Sequence, residues 1–341
     1  MISVRFSALH LQSVLMQNEL PSGFSTKDIP PVMHRLSPFL FLALGAPALA
    51  HAADPASCRA VRLADVGWTD ASAVTAVGAE VFDALGYTAS TPMVTLSLAY
   101  LSMQDGHIDG FLSNWDPTGV SVIAPYLKNG SVQQIAVNLP NGHLGLAVPD
   151  YVAAEGLRDF KDIAAWGARL HHVIYGLESG NDTNDHVLRM INENMFGLQH
   201  FRLVESSEQG MLSQVARSVE SHRPIVFLAW EPHPMNMDFR ITYLTGGEKV
   251  FGAGAHVNTV VRTGYEAACP NAYRLLKQIR FSVPGENIMM KAIQDDHVPP
   301  REEARQWLRA NPDVLATWLT DVTTFDGQPG LAAARTYLGI H

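Results

Sequence analysis

Residues 59–94 read RAVRLADVGWTDASAVTAVGAEVFDALGYTASTPMV, and they alternate between two kinds of hydrophobic pattern. Residues 61–66 and 87–94 are short β-rich runs, whereas residues 70–85 have apolar side chains at helical spacing. Asp70 is a suitable N-cap for this helix and Gly86 a suitable stop. The segment therefore predicts a strand–helix–strand unit, the building block of α/β folds with a mostly parallel sheet.

The same alternation continues along the chain and predicts an α/β protein of two lobes. Residues 108–114 predict a strand that ends at Trp115, at the sheet edge where open α/β folds bind ligands. The other predicted strands and helices are strands 172–175, 201–204 and 224–229 and helices 96–104, 182–196 and 207–221. Residues 271–341 have a largely helical pattern.

Two segments are the expected crossings between the lobes. Residues 132–148 are interpreted as two extended segments broken at 139–142, and residues 239–244 as the return crossing. We therefore expect lobe I to comprise residues 53–140 and 240–341, and lobe II residues 141–239. Each lobe is expected to be a mainly parallel sheet flanked by helices, because the chain is too long for one compact core.

Residues 33–52 have the three parts of a secretory signal peptide. His34-Arg35 is a basic start, an apolar run follows, and Ala50-His51-Ala52 is a small-residue cleavage site. The apolar run is shorter than the roughly 20 residues of a transmembrane span, which disfavours a membrane anchor. We interpret residues 1–32 as a non-native or unstructured extension. The pattern predicts export to the periplasm, with cleavage near Ala52.

The net charge and the cysteine content indicate which partners and which covalent links to expect. The formal net charge of −9 argues against nucleic acid as a partner. The two cysteines, Cys58 and Cys269, both lie in the part predicted to be exported, where thiols oxidise, so we predict a disulfide between them. Lipid attachment at Cys58 is the alternative, but Pro55-Ala56-Ser57 lacks the large aliphatic residue of a lipoprotein signal.

Three tryptophans follow predicted strands among polar residues: Trp68, Trp115 and Trp230. Any one of them is more often a packed core residue than a ligand contact, because Trp is largely buried on average. Together, at strand ends, they indicate a cation–π site. A permanent cation without hydrogen-bond donors is held in a dry site by aromatic faces, at ~0.5–2 kcal/mol per desolvated ring.

Five motifs in order resemble the periplasmic choline-binding proteins of ABC importers, a resemblance that extends from about Cys58 to the C-terminus. The motifs are Val66-Gly67-Trp68-Thr69-Asp70, Asn114-Trp115, Gly180-Asn181-Asp182, Glu205-Ser206-Ser207-Glu208-Gln209-Gly210-Met211-Leu212 and Trp230-Glu231-Pro232-His233-Pro234-Met235-Asn236. The resemblance implies a type II-like, Venus-flytrap binding protein that acts as a monomer and delivers its ligand to an inner-membrane ABC permease. It also implies that the three tryptophans form an aromatic box, that Asp70 and Asn181 are polar ligand contacts, and that the cysteines match the family disulfide.

One position departs from the family pattern. The choline-binding proteins have a tyrosine as the fourth wall of the box, and an ungapped count from Trp115 places Leu144 there. His143 fills that wall only if the register slips by one residue. The departure leaves choline, acetylcholine, glycine betaine and carnitine open as ligands. Asp70 favours choline, because a carboxylate attracts the cation and accepts a hydrogen bond from its hydroxyl but repels the carboxylate of betaine or carnitine.

An enzyme is the main alternative from another class. Glu231 and His233 could act as an acid–base pair in a choline-ester hydrolase, although a role in shaping the Trp230 loop is the simpler interpretation. The sequence has no nucleophile elbow, phosphate loop or His-Glu-x-x-His motif, so we expect no catalytic residue, metal or cofactor. A structural or adhesive exported protein ranks last, because it leaves the strand-end tryptophans unexplained.

Overall fold

The computed structural model describes residues 53–340, so the predicted extension and signal peptide lie outside the described residues. Within this range the strands are β1 (Ala60–Arg62), β2 (Thr88–Ser90), β3 (Gly110–Asp116), β4 (Val132–Pro149), β5 (Val173–Tyr175), β6 (Arg202–Val204), β7 (Phe227–Glu231), β8 (Ile241–Tyr243) and β9 (Ala255–Arg262). The helices are α1 (Thr69–Ala84), α2 (Leu96–Gln104), α3 (Val120–Lys128), α4 (Asp150–Ala154), α5 (Asp182–Asn192), α6 (Glu208–Glu220), α7 (Met235–Asp238), α8 (Glu248–Phe251), α9 (Tyr265–Ala268), α10 (Pro270–Gln278), α11 (Val283–Gln294), α12 (Pro300–Ala310), α13 (Asp313–Trp318) and α14 (Gly330–Leu338). Short 3₁₀ turns cover Ala56–Cys58, Phe160–Trp166 and Met195–Gly197.

The α/β prediction is confirmed by the order of these elements. Strands β1 and β2, which α1 connects, pair in parallel, and β5 pairs in parallel with both β6 and β7. The chain after Pro270 is helical, as its pattern indicated. Helix α5 stops earlier than predicted, because Asn194 takes a left-handed conformation just beyond its end.

Strand β4 differs from its prediction. It is one strand of 18 residues instead of two extended segments broken at 139–142. Its first part pairs with β9, and its last part pairs with β7 and β8. Register shifts between Leu139 and Gly142 absorb the irregular sequence, so the Pro140-containing stretch bends the strand without ending it.

The sheet is mixed, so the expectation of a mainly parallel sheet in each lobe is wrong. The strand order is β3-β9-β4-β7-β5-β6, with β8 also paired to β4. Strand β9 lies antiparallel between β3 and β4. The segment predicted as the return crossing, residues 239–244, contains β8, which pairs with the end of β4. Pairing direction of this kind is set by distant partners and leaves no mark on local periodicity.

Helix α1 is the most enclosed element near the sheet. Fourteen of its sixteen residues are buried, which its many alanines allow because small side chains permit close packing. It packs against β3 and the C-terminal helices α11, α12 and α14. Glu80 on its buried face pairs with Arg301 and Arg305 of α12. These contacts fix the position and direction of its first turn.

The Cys58–Cys269 disulfide is confirmed, with the two Cα atoms 5.7 Å apart and the cysteines separated by 211 positions in the sequence. It joins the 3₁₀ turn at Ala56–Cys58 to the start of α10, and both cysteines are buried. In residues 53–340, none of the helices has the length and apolar character of a membrane span.

Removing this disulfide should destabilise the protein. The Cys58→Ser/Cys269→Ser double variant should have a free energy of unfolding lower by about 4 kcal/mol, because the unfolded chain regains the freedom that a long closed loop removes. Urea unfolding followed by circular dichroism measures the difference. Dithiothreitol should lower the stability of the wild type and leave the double variant unchanged; equal stability of the two proteins without reductant would contradict the prediction.

Candidate functional site

One cavity gathers all six residues that the sequence predicted as ligand contacts. It contains about 350 Å³ of space that no atom occupies, counting solvent at its mouth, and its wall is mostly apolar. It lies where the ends of β3 and β7 meet the first turns of α1 and α5. The lining residues are Trp68, Asp70, Trp115, Leu144, Leu177, Asn181, Asp182, Thr183, Leu228, Ala229 and Trp230.

The three tryptophans reach the cavity from separate elements. Trp68 immediately precedes α1, while Trp115 and Trp230 are the penultimate residues of β3 and β7. All three are buried, with 7%, 4% and 4% of their surfaces exposed. The three rings, which lie at or just beyond strand ends, thus line one cavity, as the sequence predicted.

Polar partners occupy the N–H groups of two of the rings, and an imidazole packs against the third. Trp68 Nε1 donates to Glu178 Oε1 at 2.9 Å, and Trp115 Nε1 donates to Asp70 Oδ2 at 3.0 Å. The Trp230 ring packs edge-on against His233, with ring centroids 4.6 Å apart and planes at 72°. Because these contacts fix the orientation of each ring, the box does not depend on a ligand to set the indole planes.

Asp70 is a fully buried carboxylate, and only one of its two oxygens accepts hydrogen bonds from the described residues. Oδ2 accepts hydrogen bonds from Ser113 Oγ at 2.9 Å and from Trp115 Nε1, whereas Oδ1 is buried without a partner among the described residues. Burial raises the pKa of Asp70 to about 6 against the lowering effect of its two bonds, and nearby Glu208 adds to the rise. The predicted N-cap role is wrong, since Trp68 occupies that position and Asp70 lies inside the first turn.

Asn181 is the N-cap of α5, as its position after Gly180 indicated. Its Oδ1 accepts from Thr183 N at 2.9 Å, and its Nδ2 donates to Glu178 Oε1 at 3.0 Å. The carboxylate of Glu178 thus receives both this amide and the Trp68 indole. Asn181 keeps one N–H and one lone pair for a ligand, because an amide offers two donors and two acceptors.

Asp182 is a second buried carboxylate on the cavity wall, and sequence reasoning missed its role. Its pKa is raised to about 7, mainly by burial, against hydrogen bonds from Thr183. Its Oδ2 lies 3.1 Å from the place where a Cβ on Gly119 would stand, so glycine at 119 allows this close approach. The signal was present in the Gly180-Asn181-Asp182 motif, from which only the asparagine was selected.

Leu144 lies opposite Trp230 in the β4–β7 register and contributes an aliphatic wall. Leu177 and Leu228, which the sequence analysis did not select, extend this wall. His143 instead packs edge-on against Tyr243, with ring centroids 4.2 Å apart. The register slip that would place His143 in the box does not occur.

Glu208 and His233 form a buried pair beside the cavity. His233 Nε2 lies 3.2 Å from Glu208 Oε1, and Met235 N donates to His233 Nδ1 at 3.0 Å. Since a backbone N–H is only a donor, Nδ1 is the acceptor and the Nε2 proton faces Glu208. Burial opposes ionisation of Glu208, but bonds from His233 and Thr69 outweigh it and lower its pKa.

The acid–base pair of Glu231 and His233 is therefore ruled out. Both ring nitrogens of His233 are engaged elsewhere, and the ring is wholly buried. Among residues 53–340, no group of three or more His, Cys, Asp or Glu side chains is placed to hold a metal ion. An enclosed, mostly apolar cavity with a few polar groups is the arrangement of a small-molecule binding site, and it defines the class of the molecule as a solute-binding protein.

The chain belongs to the family described as the substrate-binding domain of ABC-type glycine betaine transport systems, whose model matches residues 59–310. It is therefore the substrate-binding component of an ABC transporter, an extracytoplasmic protein and not an enzyme. It is similar to the structure of an ABC-transporter choline-binding protein in complex with choline, with 46% identity and a TM-score of 0.82 over 84% of this chain and 100% of that one. This likeness identifies the fold as the α/β fold of periplasmic binding proteins.

Two further comparisons give a similar result. An ABC-transporter choline-binding protein in an unliganded semi-closed conformation has 46% identity and a TM-score of 0.76 over 83% of this chain and 99% of that one. A glycine betaine/carnitine transport binding protein of Listeria monocytogenes is 28% identical over 161 residues, which are 47% of this chain and 53% of that protein.

Replacing Asp70 by asparagine should stabilise the protein without ligand at neutral pH. The pKa of the Asp70 carboxyl is higher in the folded protein than in the unfolded chain. Its contribution to stability is therefore complete below the unfolded pKa and is lost as the pH rises through about 6. Asp70→Asn should therefore raise the free energy of unfolding on the order of 2 kcal/mol near pH 7.5 and have little effect near pH 4.

Urea unfolding at the two pH values measures this change. Asp105→Asn, at an exposed carboxyl, is the matched control and should change stability little at either pH. A loss of stability in Asp70→Asn at both pH values would show that the carboxylate is a net stabilising group.

Proposed function

We propose that this protein binds choline in the cavity and delivers it to the permease of an ABC importer, acting as a monomer in the periplasm. The observation that carries the proposal is the meeting of Trp68, Trp115 and Trp230 with a buried carboxylate that keeps one oxygen unpartnered. Indole faces suit the trimethylammonium group, and Asp70 Oδ1 suits the hydroxyl. Asn181 and Leu144 are the further contacts proposed.

Electrostatics favours choline over the zwitterions of its class. Asp70 and Asp182 both line the cavity, and a ligand carboxylate would lie against two acidic groups in a site from which water is largely excluded. Like charges repel strongly under those conditions. Glycine betaine and carnitine carry such a carboxylate, whereas choline and acetylcholine do not. The 46% identity to a choline-binding protein over its whole length supports the same choice.

We further propose that lobes I and II rotate about the crossings at Asn138–Leu144 and Met237–Leu244 to close on the ligand. Helix α1 packs with the C-terminal helices, whereas α5 packs with β6 and α8, which fits two separately packed bodies. Trp68, Asp70 and Trp115 belong to lobe I, and Leu144, Asn181 and Trp230 to lobe II. Closure then completes the box, and the closed form is what the permease recognises.

Replacing one ring should weaken binding in proportion to its cation–π contribution. Trp115→Ala should raise the dissociation constant for choline about tenfold or more, if the ring contributes ~1.5 kcal/mol. Calorimetric titration of wild type and variant with choline, acetylcholine, glycine betaine and carnitine measures this effect and ranks the ligands. Trp166→Ala, at a ring that packs under Arg169, is the matched control and should bind like the wild type.

Two results would contradict the proposal. Wild-type choline affinity in Trp115→Ala would remove this ring from the site. Tighter binding of glycine betaine than of choline would assign the protein to the betaine-binding part of its family.

Choline affinity should fall as the solution becomes more acidic. The pKa values of Asp70 and Asp182 are about 6 and about 7 without ligand, and a bound cation favours their ionised forms. Binding should therefore release protons, and the affinity should rise with pH through this range and level off above about pH 8. Titrations in buffers of different ionisation enthalpy measure the proton release. Asp70→Asn should flatten the lower part of the profile; an affinity independent of pH in the wild type would contradict the assignment of these carboxylates.

A further inference from the structure

We propose that Glu208 is a closure clamp: its carboxylate, which is not part of the cavity wall, bridges lobe II to the first turn of α1 and slows ligand release. This inference rests on the proposed function, because it assumes that the two lobes close on a ligand. It adds a residue that acts on ligand retention through Trp68 and Trp230 without touching the ligand.

The bridge to α1 consists of two hydrogen bonds to one residue. Glu208 accepts from Thr69 N at 3.0 Å and also from the Thr69 hydroxyl. Thr69 is the first residue of α1, where unpaired N–H groups and the helix dipole favour a negative charge. The N-cap residue Trp68 makes no side-chain capping bond, so Glu208 of α6 supplies this interaction from another part of the chain.

The other end of the clamp is His233. Its Nδ1 is held by Met235 N, which leaves the Nε2 proton for Glu208 Oε1. The same imidazole packs edge-on against the Trp230 ring. A continuous series of contacts therefore connects Trp230 through His233 and Glu208 to Thr69, whose neighbours on either side are Trp68 and Asp70.

A second carboxylate of lobe II reaches the same turn. Glu178 receives Trp68 Nε1 at 2.9 Å, and Asn181 of α5 donates to the same oxygen. Glu178 thus holds a wall of the cavity directly, whereas Glu208 holds the helix that carries this wall. Of the two, Glu208 is almost fully buried and makes no hydrogen bond to a lining residue, whereas Glu178 bonds two of them.

Opening the cleft would separate the clamp at one place only. Glu208 and His233 are both in lobe II and would stay together, while Thr69 would leave with α1. Since opening would break the Thr69 bonds, their removal should act on the rate of opening. Glu208→Gln keeps the size of the side chain but removes the charge, and it should raise the dissociation rate of choline about tenfold and change the association rate little.

Stopped-flow tryptophan fluorescence measures the two rates separately. Glu220→Gln, at an exposed glutamate on the same helix, is the matched control and should leave both rates unchanged. Glu208→Asp, which keeps the charge, should restore part of the slow dissociation. Thr69→Ala should raise the dissociation rate in the wild-type background. In the Glu208→Gln background it should raise the rate by a smaller factor, because both changes remove the same interaction.

Two outcomes would overturn the clamp, and they are distinct from failure of the proposed function. If the wild type binds choline and Glu208→Gln has the wild-type dissociation rate, the clamp is wrong and choline binding stands. If the wild type binds none of the four ligands, the proposed function fails. The clamp is then tested by small-angle X-ray scattering without ligand, where Glu208→Gln should have a larger radius of gyration than the wild type and the Glu220→Gln control, and an equal value would refute it.

Discussion

The first turn of α1 is the point on which the rest of the site depends. Trp68 and Asp70 line the cavity, and Thr69 between them donates to Glu208. A shift of this turn would therefore move an aromatic wall, a buried carboxylate and the Glu208 contact together. The turn is fixed from behind by the packing of α1 on the C-terminal helices and by the pairing of Glu80 with two arginines of α12. The C-terminal helices therefore stabilise the position of the site, although none of their residues lines the cavity.

Several buried carboxyl groups lie in or near the mostly apolar cavity. Burial raises the pKa of Asp70 and Asp182, and it raises the pKa of nearby Glu286 well above its ordinary value, with Asp70 adding to the effect. Such groups destabilise the empty molecule when they ionise, because a buried charge needs a partner. A bound cation is that partner. The same arrangement thus explains an energetic weakness of the free protein and an attraction for a positively charged ligand.

Much of the site was visible in the sequence because its main residues occupy positions that local patterns identify. Trp115 and Trp230 follow β-rich runs, whereas Asn181 and Leu144 were selected through the resemblance to the choline-binding proteins, and all four line the cavity. What the sequence did not reveal depends on contacts between distant segments. The antiparallel insertion of β9, the close approach of Asp182 to Gly119, and the Thr69–Glu208 and Glu208–His233 contacts all join residues whose proximity no periodicity encodes.

The continuity of β4 bears on the proposed closure of the two lobes. Because its ladder passes from β9 to β7 without a gap, sliding of the proposed lobes would break strand pairing, whereas twisting at the register shift near Gly142 would preserve it. A Cβ at Gly142 would stand 3.0 Å from the Trp115 ring, so this indole lies almost on the pivot. Trp68 belongs to the same proposed lobe and would stay beside Trp115 in the open form, while Trp230 moves away with the other lobe. An arriving cation would thus meet Trp68 and Trp115 first and gain Trp230 only as the twist completes.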